Sequence, residues 1–168
     1  MAAAPVRRLV LGSHREIAGT VYGTTVVMAT VVAGSRDSAA DPWGLAVITG
    51  ATVVVLWLAH VYSGALADSI NRSQPLNRRQ LGAIAGQEIS IPLAAVAPVG
   101  ALALAGADVV QLRTAVWVAL GIGVATLVIQ GLRYARIERL GRLGTATAVC
   151  LNLALGLFIV ALNALLVH

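Results

Sequence analysis

The sequence predicts an all-α, polytopic membrane protein of five transmembrane helices, with a cytoplasmic N-terminus and an outer C-terminus. Composition is the first observation: 58% of the 168 residues are hydrophobic and 11% charged, with a mean hydropathy of +0.86. An average soluble domain carries about 25% charged residues. The second is five runs free of Asp, Glu, Lys and Arg, at 17–34, 42–67, 89–107, 114–132 and 143–168. Each reaches the roughly 17–25 residues that a helix needs to cross about 30 Å of hydrocarbon. The third is arginine placement. Arg7, Arg8 and Arg15 precede the first run; Arg72, Arg78 and Arg79 follow the second; Arg133, Arg136, Arg139 and Arg142 follow the fourth. Only Arg36 and Arg113 fall at the opposite ends. Positively charged loops stay in the cytoplasm, so the spans alternate and their number is odd.

The spans are placed at about 16–34, 43–67, 88–107, 113–133 and 143–167, and the chain is a single transmembrane domain. The formal charge of +5 follows this alternation, which argues against nucleic acid as a partner; the partners expected are the lipid bilayer and a second copy, a dimer being favoured. Continuous apolar runs without period-2 alternation exclude a strand barrel. The first run is longer than the core of a secretion signal, and more spans follow it. Cys150, the single cysteine, is read as packing. The location expected is a bacterial inner membrane.

The first span carries Glu16, Gly19, Thr20, Gly23, Thr24 and Val27 on one helical face. Gly19 and Gly23 form a GxxxG pair, whose missing side chains let another backbone approach closely. The second span puts Ser63, Gly64, Ala67, Asp68 and Asn71 within roughly 80° of His60 on the helical wheel, with His60 about 12 Å deeper than Asp68. Tyr62 points the other way. Between the second and third spans, LNRRQLGAIAG reads as a short interfacial helix. Gln87 and Glu88 open the third span, where Pro92 and Pro98 each remove a backbone hydrogen bond. Tyr134 closes the fourth span at the interface. The fifth carries Thr145, Asn152, Gly156 and Asn163 on one face, and Asn152 and Gly156 are read as helix packing.

Ionisable groups in a membrane are costly and mark functional positions. Glu16, Asp68 and Glu88 stand at the same ends of their spans, with His60 just above them. Three oxygen donors and an imidazole suit a divalent metal ion or a proton. The candidate transport path is therefore Glu16, Thr20, His60, Asp68 and Asn71, and the candidate metal donors are Glu16, His60, Asp68 and Glu88. No cofactor is called for apart from such a metal ion. No HExxH, CxxC, GxSxG or phosphate loop occurs, so an enzyme is not expected. The alternative to transport is a scaffold or accessory subunit whose polar faces bind partner helices.

Five spans, a small-residue first helix and a second helix ending in Leu66-Ala67-Asp68-Ser69 resemble the vacuolar iron transporter family. The segment LRYARIERLGRLG between the last two spans is also similar in spacing. The resemblance implies a dimer whose first two helices surround a metal path, with Asp68 meeting the ion. Three features depart from the family: its intramembrane aspartate in the first helix has only Glu16 as a counterpart here, its glutamate-rich cytoplasmic insert is reduced to about twenty residues, and the methionine expected just after the aspartate is absent.

Overall fold

The computed structural model describes residues 14–35, 41–72 and 77–166, except the side chains of Arg72, Asn163 and Leu166. Among the described residues the chain is entirely helical: α1 (His14–Gly34), α2 (Pro42–Arg72), α3 (Arg78–Gln87), α4 (Ser90–Gly106), α5 (Leu112–Ile137) and α6 (Arg142–Leu166). Uninterrupted runs of Ala, Leu, Val and Ile supply both helix propensity and the apolar exterior. Asp41 starts α2 by accepting from the Trp43 and Gly44 amides, 3.2 and 2.8 Å away. Asn77 and Gln80 start α3 with a reciprocal capping box, each side chain 2.9 Å from the other's amide nitrogen, which satisfies two of the donors a helix start leaves open.

α1, α2, α5 and α6 are each long and apolar enough to cross a bilayer. α3 and α4 meet that test only together, as a pair bent by 50°. The third span therefore differs from the single helix expected over 88–107. It breaks at Glu88 and Ile89, and its first part is the helix expected to lie at the interface. Pro92 is not the cause of a kink. It sits in the first turn of α4, where a helix has no use for the missing N–H.

Contacts with α2 establish how far this bent pair reaches. Beside α3, a β-carbon on Gly64 of α2 would lie 3.2 Å from Ile84. The Trp57 indole donates to the Ala85 carbonyl at 3.3 Å, one of the last-turn carbonyls that have no partner inside the helix. At the far end of α4, the Trp43 ring packs so closely on Gly106 that a β-carbon there would lie 2.7 Å from it. The pair thus runs back along α2 over most of its length. One end of the bundle gathers His14, Arg78 and Arg142. The other gathers Gly34, Trp43 and Arg113.

α1 is the central helix, packed on α2, α4, α5 and α6. Val27, Met28 and Val31 of α1, Ile91 and Leu102 of α4, and Leu120 and Leu127 of α5 form the buried core. α6 is peripheral, with 17% of its most apolar stretch buried, and α2 turns Val47, Val55 and Tyr62 outward.

Candidate functional site

Three helices line an open cavity of about 990 Å³ at the arginine-rich end. α1 contributes His14, Arg15 and Glu16; α2 contributes Gly64, Ala67, Asp68 and Asn71; α3 and the bend contribute Gln80, Gln87 and Glu88. The cavity exists because α3 folds back against α2 instead of continuing along the bundle axis. Gly64 and Ala67 leave the room that larger side chains would fill. Asp68 does not end its helix, since α2 continues through Arg72, and its half-buried carboxylate faces this space.

His60 is not in that cavity. It lines a smaller one of about 230 Å³ together with Arg15, Ala18, Gly19, Tyr22 and Glu88. The last two turns of α3 pack on the stretch of α2 from Trp57 to Gly64, and this divides the polar stripe of α2 in two. His60 is half-buried, its Nδ1 lies 3.1 Å from the Leu56 carbonyl oxygen, and its ring centroid is 5.0 Å from that of Tyr22. A carbonyl only accepts, so Nδ1 is the donor in this contact.

Arg15 and Glu88 line both cavities, and the Arg15 guanidinium donates to the Gln87 Oε1 at 2.7 Å. This bond ties the start of α1 to the bend where the two spaces meet. Neither Arg15 nor Gln87 is among the site residues that the sequence predicts. They are 72 residues apart, and only the fold-back of α3 brings them together. Glu16, Asp68, Asn71 and Glu88 share the large cavity as the topology predicts, whereas Thr20 faces a third space and donates to the Glu16 carbonyl in its own helix at 2.7 Å. Among the described residues, no three His, Cys, Asp or Glu side chains are grouped closely enough to hold a metal ion. Glu16, His60, Asp68 and Glu88 share walls rather than a single point.

The packing residues lie at helix contacts. Gly19 rests against Ser90 and Gly23 against the Ile91 backbone, so the GxxxG pair joins α1 to α4 within one chain. Gly156 of α6 faces Leu127 and Val124 of α5, and Asn152 lies beside Gly131 of α5. The Asn152 amide, however, donates to Ala148 of its own helix at 2.9 Å; it packs across the seam while bonding along the helix. The Asn163 side chain lies outside the described residues.

No protein-family model, curated protein or solved structure matches the chain. The described residues define a class by fold alone: an all-helical arrangement with four or five elements long and apolar enough to cross a membrane, and a polar cavity at one end.

Proposed function

We propose that the protein is a small transporter or channel of the bacterial inner membrane that moves a cation, either a divalent metal ion or a proton. The observation that carries this reading is the large cavity walled by the Glu16, Asp68 and Glu88 carboxylates, with the His60 cavity adjoining it through Arg15 and Glu88. Carboxylates around an open space attract cations and exchange their water for protein oxygen. The arginine-rich end faces the cytoplasm, so the large cavity is a cytoplasmic vestibule. His60 is the next polar side chain inward, and imidazole suits both metal ligation and proton transfer. The working unit is a homo-oligomer, a dimer being favoured, because five spans leave little room for a through-path inside one chain. Outward-facing apolar positions on α2 let the second copy pack beside the vestibule.

Flux into liposomes tests this reading, with protons and candidate divalent cations measured in turn. His60→Ala and Asp68→Asn should each lower flux about tenfold, equivalent to about 1.4 kcal/mol in the barrier, while the proteins keep their helicity and assembly. A folded His60→Ala protein with unaltered flux removes the histidine from the path. A wild type that moves none of the ions contradicts transport and leaves the scaffold reading.

A further inference from the structure

Asp68 and His60 lie on one stripe of α2, and Gly64 stands midway between them, about one turn from each. Ile84 of α3 covers that midpoint, since a β-carbon on Gly64 would meet its Cγ2 at 3.2 Å. Asp68 and Ile84 belong to the wall of the large cavity and His60 to the wall of the small one, and Arg15 and Glu88 are common to both. An ion leaving Asp68 for His60 therefore meets an isoleucine where the polar face would otherwise continue. An apolar side chain at a constriction stops ions by excluding the water that solvates them.

The helix that carries Ile84 can move without disturbing the core. None of the described residues of α3 is buried. α3 closes where the Glu88 N–H donates to the Ile84 carbonyl at 3.2 Å, and α4 opens where the Glu88 carbonyl accepts from Ile91 at 3.1 Å. The two hydrogen-bond ladders meet at Glu88, where the pair bends by 50°. A change of backbone angles at Glu88 and Ile89 swings α3 without unwinding either helix. Two hydrogen bonds oppose the swing. The Trp57 indole reaches the Ala85 carbonyl at 3.3 Å, beyond the usual range for an N–H donor. The Arg15 guanidinium reaches the Gln87 Oε1 at 2.7 Å and is the shorter, charge-assisted bond.

Resting on the transport reading above, we propose that α3 is the gate of the path. Ile84 is the apolar plug between the two cavities, Glu88 and Ile89 are the hinge, and the bond from Arg15 to Gln87 is the latch. The structure is the closed state. Opening releases Arg15 from Gln87 and lifts Ile84 off Gly64, which joins the large cavity to the His60 cavity along the polar stripe of α2. Arg15 is thus a positioning residue: it acts on the path through α3.

Two measurements on the full chain carrying Cys150→Ser test the gate. In liposomes, Gly64→Cys and Ile84→Cys are joined by oxidation; the second substitution removes the methyl group that a β-carbon at Gly64 would crowd. Flux of the ion that the wild type moves should fall about tenfold on oxidation and return on reduction, while Ile84→Ser alone should raise it above wild type. Without any flux, spin labels on Arg79→Cys in α3 and Leu143→Cys in α6, both exposed positions, report the distance between the two helices. Two distance populations are expected, with the minor one enlarged by Arg15→Ala. Undiminished flux through the oxidised pair, or a single distance unchanged by Arg15→Ala, overturns the gate and leaves transport standing. A wild type that moves no ion overturns the transport reading and the gate with it.

Discussion

A β-carbon on Gly23 would lie 2.7 Å from the Ile91 carbonyl oxygen and 3.1 Å from its Cα, and backbone in a packed helix cannot step aside. At Gly19 the obstruction is the Ser90 side chain, which can rotate. Alanine at the two positions should therefore differ. Gly23→Ala should cost about 1–3 kcal/mol through overpacking and Gly19→Ala clearly less, measured as thermal stability in detergent. Equal losses, or none at Gly23, would mean that α1 and α4 are farther apart than described. The GxxxG spacing was legible because it is local. Its partner was not, since nothing in a sequence says which backbone will fill a gap between two glycines. The site divides in the same way. Arginine placement alone put Glu16, Asp68 and Glu88 at one end, but the separation of His60 from Asp68 depends on where Trp57 and Gly64 receive α3.

Helix ends account for much of what the elements do. α4 and α5 both finish with a residue in the left-handed region, Asp108 at φ 58° and Arg139 at φ 53°. In each case the next amide reaches back five residues, Val109 to Leu104 at 3.0 Å and Leu140 to Ala135 at 2.9 Å. Glycine is favoured at such a cap because a β-carbon is strained there by roughly 1–2 kcal/mol. Arg139→Gly should raise the thermal midpoint, and a fall would place the loop's stability in the arginine instead. Further along the chain, α3 is held by its capping box and by the Trp57 indole. Trp57→Phe leaves the Ala85 carbonyl without that donor and should cost about 1 kcal/mol, seen as faster hydrogen exchange confined to α3. The helical character of α3 was readable from LNRRQLGAIAG. Its role as the first part of a bent span was not, because its two arginines and low apolarity match a surface helix equally well until its contacts with α2 are known.

For the whole molecule, the decisive question is whether α3 and α4 cross the bilayer together. Five crossings put the three carboxylates, the bend and most arginines on one side, and the vestibule and the His60 cavity take their direction from that. The end of α4 meets Trp43 at one end of α2, and the last turn of α3 meets Trp57 at its middle, about 21 Å away along the helix, so α4 advances along α2. A re-entrant loop would return to the side from which it started. Single cysteines at Asp41, Arg78, Val109 and Glu138, introduced after replacing Cys150, distinguish the two by labelling with an impermeant thiol reagent in sealed cells and in inverted vesicles. Positions 78 and 138 should label from the cytoplasmic face, and positions 41 and 109 from the outer face. Labelling of 109 from the same face as 78 would contradict the five-span account and the transport path built on it.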